Sequence, residues 1–214
     1  MKNLKFYVQQ HSTRISPGNY QLGTKIQIPY RDFCGYIKTS AKLMGSDWIK
    51  QITQTELQIQ QVIKRWCNAY VSTEIKGQHI PVIDWDGALH DKNLPVLKHL
   101  DENNIGYVIF HSTTDLRYWI FIDQLGTHTQ CIKLMGDCRN KYSAGDPSYI
   151  HYQSQTKNIV VRAYPKFMDI PSLFMSSDPT KYTKNFKLWI DSFNQYWKEP
   201  HIQEVVDHFF VESL

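Results

Sequence analysis

The sequence predicts an α+β protein: a central mixed or antiparallel sheet, a strand-and-helix segment before it, and helices after it. Two patterns carry the prediction. Apolar runs of strand length, rich in Val, Ile, Phe and Tyr, crowd the middle of the chain at residues 80–86, 107–110, 117–123, 129–134 and 158–164. Apolar residues spaced three to four apart, the helical period, concentrate instead at residues 47–72 and 186–211. Strands in a block with helices at the ends describe α+β rather than a regularly alternating parallel sheet.

Residues 4–8 read as an opening strand, the turn-forming Ser16-Pro17-Gly18-Asn19 follows, and residues 24–28 form a second strand. Ile49, Ile52, Leu57, Val62, Ile63, Trp66 and Tyr70, with glutamines between them, predict one long amphipathic helix or two short ones reaching Ser72. After Gly77 the run 80–86 is a strand. Leu94, Val96, Leu97 and Leu100 then mark the inner face of a helix that closes near Asn103, with Gly106 as its expected C-cap. Strands at 107–110 and 117–123, joined by a short polar turn, lead to further strands at 129–134 and 158–164. Beyond Pro171 the expectation is helical. Phe186, Leu188, Trp189, Ile190, Phe193, Tyr196 and Trp197 mark one helix, and Ile202, Val205, Val206, Phe209, Phe210 and Val211 a second after Pro200, both placed on the sheet.

A chain of 214 residues supports one sizeable core. We read it as a single domain with three segments, residues 1–79, 80–167 and 168–214. Lysine and arginine exceed aspartate and glutamate by 24 to 20, and a net charge of +4 permits an anionic partner without requiring one. Cys34, Cys67, Cys131 and Cys138 show no Cys-x-x-Cys pair, which excludes the ligand spacing of a structural zinc site and leaves free thiols as the expectation. The first ten residues hold no apolar segment of signal-peptide length, and no run of eighteen apolar residues occurs. The expected setting is the cytoplasm, with no membrane association.

The chemistry-bearing feature is Val82-Ile83-Asp84-Trp85-Asp86-Gly87, an apolar run ending in two carboxylates one residue apart. On a strand of period two, Asp84 and Asp86 project from one face, close enough to share a divalent cation. Without a cation or a proton such a pair is costly, because like charges at short range raise each other's pKa. In the plainer reading, one aspartate caps the following turn and the other is solvated. Ser112 follows Asp86 by 26 residues, in a polar loop between two strands. Arg162 stands within the otherwise apolar run 158–164, where a guanidinium needs a partner, either a phosphate or an aspartate, and Lys166 follows it.

This order of motifs resembles the archaeo-eukaryotic primase superfamily, the catalytic core of primases and primase-polymerases, over roughly residues 80–167. The matching features are Asp84-Trp85-Asp86 at a strand end, a helix and strand leading to the serine loop at Ser112, a later aspartate, and the basic segment from Arg162 to Lys166. Where the family has a nucleotide-binding histidine this chain has Tyr118, and His111 faces the other side of its strand. The resemblance implies an RRM-like core, Mg²⁺ or Mn²⁺ held by Asp84, Asp86 and a third acid, and template-directed nucleotidyl transfer on single-stranded DNA. Asp146 is the choice for the third acid, with Asp137 as the alternative. Ser112, Arg117, Tyr118, Arg162 and Lys166 are then expected near the incoming nucleoside triphosphate. Small cores of this kind serve phages and plasmids, so a replicative helicase or another replication protein is the further partner implied, in a host cytoplasm if the chain is phage-encoded.

Two other readings use the same residues. Asp84-Trp85-Asp86-Gly87 also resembles the opening motif of haloacid-dehalogenase-like phosphatases, which implies Asp84 as covalent nucleophile, Asp86 as general acid and base, and Ser112 or Thr113 in the second motif. The third, prompted by Tyr118, is a catalytically degenerate primase-like module that binds single strands.

Overall fold

The computed structural model describes residues 2–9, 13–16, 19–21, 25–37, 69–87, 94–113, 116–163 and 170–204. The predicted helix over residues 47–68, Lys166, and residues 205–211 of the second C-terminal helix lie outside them. In chain order the elements are β1 (Lys5–Gln9), β2 (Thr13–Ser16), β3 (Asn19–Gln21), β4 (Lys25–Ile28), α1 (30–37), β5 (Ala69–Ser72), β6 (Glu74–Ile75), β7 (Gln78–His79) and β8 (Val82–Asp86). They continue as α2 (Pro95–Glu102), β9 (Tyr107–Thr113), β10 (Arg117–Ile122), α3 (His128–Tyr142), α4 (Pro147–Ser154), β11 (Val160–Arg162), β12 (Ser172–Ser176), a 3-10 turn (Pro179–Lys181), α5 (Lys184–Tyr196) and α6 (200–204). The fold class is α+β, as predicted. No helix among the described residues is long and apolar enough to cross a membrane.

The chain forms two compact units. The first comprises Met1–Leu4, Thr73–Val160 and Asp169–Trp197. Its sheet has the order β12-β9-β10-β8, with every neighbouring pair antiparallel. β8 and β9 therefore run parallel to each other with β10 between them, a split β-α-β unit whose crossover is α2. The two-residue period sends Ile83, Ile109, Tyr118, Ile120 and Ile122 to one face, where they pack on Val96, Leu97 and Leu100 of α2 and Cys138 of α3. Phe110, Trp119 and Phe121 occupy the other face, against Trp189 and Phe193 of α5. The Phe121–Trp189 and Phe110–Phe193 ring centroids are 5.1 and 5.2 Å apart. Both faces of β10 are covered, which is why its residues from Tyr118 to Ile122 are all apolar and buried.

Four local expectations are corrected. Residues 129–134 belong to helix α3, started by a capping box in which Thr127 Oγ1 accepts from the Gln130 amide and Gln130 Oε1 accepts from the Thr127 amide. Residues 69–72 are strand β5 rather than the end of a helix, because β1 pairs with them in the register Phe6↔Val71. Residues 172–176 are strand β12 rather than helix, recruited by β9 in the register Ser172↔His111. Gly106 is not the cap of α2, which ends at Asn103 and is followed by the left-handed Asn104 (φ 55°). The demand at Gly106 is close packing, since a Cβ there would lie 2.8 Å from Cδ1 of Tyr182 and 3.3 Å from Cβ of Asp123. Asp123 in turn accepts from both the amide and the hydroxyl of Thr183 at the start of α5.

The second unit comprises Lys5–Ser72, Val161–Met168 and Lys198–Leu214. Its sheet has the order β11-β5-β1-β4, with β1 antiparallel to both β5 and β4. Phe6 of β1 sits with its ring 4.7 Å from Phe33 and 5.0 Å from Tyr30, both on α1. Lys25 of β4 lies with Nζ 5.2 Å from the centre of the Tyr70 ring, and burial pulls its pKa from 10.5 down to about 7.

Two outcomes are expected. Gly106→Ala should cost about 1–3 kcal/mol in urea unfolding, because the tyrosine ring must move. Between pH 7 and 10.5 the unfolded chain binds more protons at Lys25 than the folded chain does. Stability should therefore rise with pH across that window, by up to about 1.4 kcal/mol per pH unit, and be lost as pH falls toward 7. Lys25→Met should flatten this dependence in melting curves recorded across the window.

Candidate active site

β8 is an edge strand of its sheet, paired on one side with β10. The register sets Trp119 opposite Asp84 and Arg117 opposite Asp86. Parity therefore places Asp84, Asp86 and Arg117 on one face and Trp85 and Tyr118 on the other. Asp84 is half-buried and Asp86 is exposed. Arg117 Nε lies 3.4 Å from Oδ1 of Asp86, in an ion pair whose side chains are about half exposed. Arg117, expected beside a triphosphate, is thus engaged with the acid itself.

The outer edge of β8 meets the loop that leaves α3. The Asp146 amide donates to the Asp84 carbonyl at 2.9 Å. Gly145 suits this turn, its φ of 109° lying in the region that disfavours side chains. Asp146 caps α4, its Oδ1 accepting from the Ser148 amide at 2.9 Å. Asp146 is accordingly the acid that stands beside β8. Asp137 lines a different cleft of about 480 Å³ with His99 and Tyr142. Asp86 and Asp146 share a cleft of about 210 Å³ with Trp85, Ser143 and Arg139.

Ser112 and Tyr118 do not line the cleft of Asp86 and Asp146. Ser112 is buried and its Oγ donates to the Arg117 carbonyl at 3.1 Å, where the β9–β10 register slips between Arg117 and Tyr118. The hydroxyl stabilises that irregularity. Tyr118, expected near the triphosphate, is buried on the face opposite the aspartates, its ring centroid 5.0 Å from those of both His111 and Phe174. Two adjacent strand residues cannot share a face, so Arg117 and Tyr118 could not both have joined Asp86. Arg162 ends β11 and belongs to the second unit. Among the described residues, no group of three or more His, Cys, Asp or Glu is arranged to hold a metal ion.

Two residues near the acids were missed from sequence. Arg139 reaches the cleft because residues 128–142 are helical, and the capping box at Thr127 was the available signal. Tyr149 of α4 donates its hydroxyl to the Val160 carbonyl at 2.9 Å, and burial, followed by the nearby charge of Asp84, pushes its pKa well above 10. Nothing in the local sequence marks it.

No protein-family model, curated protein or solved structure matches this chain.

The capping role separates from the charge. Asp146→Ala should cost about 1 kcal/mol through loss of the cap, whereas Asp146→Asn should hold the melting temperature. Arg117→Ala should change stability by less than about 1 kcal/mol, as expected of an exposed pair. Urea denaturation of the three variants checks both statements.

Proposed function

We propose that the chain is a primase-polymerase-like nucleotidyltransferase that extends a strand on a single-stranded DNA template. One observation carries the reading: Asp84 and Asp86 share one face at the end of an antiparallel strand, and the Asp84 carbonyl is bonded to the Asp146 amide at 2.9 Å. The donor chemistry fits a hard cation that takes one or two carboxylates and completes its shell with water and phosphate oxygens. Asp84 and Asp86 would hold Mg²⁺ or Mn²⁺, with Asp146 alongside. A cation held there would supply charge neutralisation for triphosphate oxygens and for the attacking 3′-hydroxyl.

The protein's own contribution is position and charge. Arg117 holds the Asp86 carboxylate on its face of the strand. Arg139, in the cleft with Asp86 and Asp146, supplies a cation for a phosphate oxygen. The half-buried setting of Asp84 limits solvent at one side of the pair. The phosphatase reading draws less support, because open α/β sheets bind ligands outside the carboxyl ends of parallel strands, and neighbouring strands here are antiparallel.

Extension of a labelled primer on single-stranded DNA with Mn²⁺ or Mg²⁺ tests the proposal. Asp84→Asn and Asp86→Asn should each lower the rate about 100-fold or more while leaving the melting temperature within about 2 °C of the parent. Full activity in the double variant overturns the mechanism. Absence of any template-dependent product from the parent, with single-strand binding that ignores divalent ions, replaces it with the non-catalytic binding module.

A further inference from the structure

The second unit holds a thiol and an imidazole that nucleotidyl transfer does not use. Cys34 lies on α1 and His201 on α6, 167 residues apart in sequence, and Cys34 Sγ is 3.7 Å from His201 Nε2. His201 is only 7% exposed, while Cys34 is half-buried and so within reach of small solutes. Tyr30, one turn before Cys34 on the same helix, closes the group. Its ring meets that of His201 edge-on at 5.8 Å. Its hydroxyl is held well above its usual pKa of 10 by burial, then by Cys34, then by Glu199. Cys131 and Cys138 of the first unit are different: both are buried, and burial pushes each thiol up to about 11. Cys131 also donates to the His79 carbonyl, as a structural thiol does.

A thiol at hydrogen-bond distance from an imidazole transfers its proton more readily than a free cysteine, because the imidazolium so formed stabilises the thiolate. We propose that Cys34 and His201 form a thiolate–imidazolium pair that makes Cys34 a nucleophile toward small electrophiles, peroxides above all. The Cys34 proton moves to His201 Nε2. The thiolate lone pair attacks one oxygen of hydrogen peroxide, forming the S–O bond as the O–O bond breaks. The departing hydroxide takes the Nε2 proton and leaves as water. Sulfur is oxidised by two electrons to sulfenic acid and the peroxide is reduced.

The test alkylates the full chain with iodoacetamide from pH 5 to 9 and quantifies each cysteine-bearing peptide by mass spectrometry. Cys34 should titrate with an apparent pKa below about 7.5, react about tenfold or more faster than free cysteine at pH 6.5, and outpace Cys131 and Cys138. Hydrogen peroxide followed by a 1,3-dione trap should label Cys34 and should fail in Cys34→Ser. His201→Gln should return the apparent pKa toward about 8.5. The profile of the unaltered protein decides the matter even if that variant does not fold. A Cys34 rate that rises only above pH 8, or that matches the buried thiols, overturns the proposal.

Discussion

The insertion of β10 between β8 and β9 is the constraint on which the first unit depends. The α2 crossover leaves two parallel strands with a gap between them, and β10, entering antiparallel to both, satisfies backbone groups on each. Being central, it must be apolar on both faces, and its alternate residues then serve two different cores. Tyr118, Ile120 and Ile122 meet the helices that follow β8 and β10, while Trp119 and Phe121 meet α5. A slip of one residue would exchange these two sets.

The same parity builds the acidic site. Once Ile83 is committed to the core, Asp84 and Asp86 fall on the far face, on either side of Trp85, with Arg117 opposite Asp86. The edge position of β8 then leaves the Asp84 carbonyl available to the Asp146 amide, and that backbone bond sets Asp146 beside the strand. The Asp146 side chain meanwhile caps α4, its Oδ1 accepting from the Ser148 amide. Ser112 illustrates the converse, a hydroxyl turned inward to hold an irregular pair.

The three described thiols divide by environment. Cys131 and Cys138 behave as small apolar residues of the core, with the thiol form favoured by burial. Cys34 stands half-open to solvent against a buried imidazole. Neither property is visible in a spacing of cysteines along the chain, since His201 lies far from Cys34 in sequence.

Much of the fold was written in local pattern. The strands around Phe6, Ile83, Ile109 and Ile120, the α2 stripe of Val96, Leu97 and Leu100, and the aromatic face of α5 all follow from periodicity, because each buries a face whose spacing the backbone dictates. The shared face of Asp84 and Asp86 was equally legible, since a strand alternates whatever it packs against. Tertiary structure decided the rest. β12 and β5 are strands because β9 and β1 offer them partners, and Gly106 is required by a tyrosine ring 76 residues away. Tyr118 faces away from the acids, the Asp146 amide bonds to β8 while Asp137 lines another cleft, and Cys34 meets His201. These are facts of register and chain crossing, which depend on pairings between distant segments and leave no trace in the spacing of any one of them.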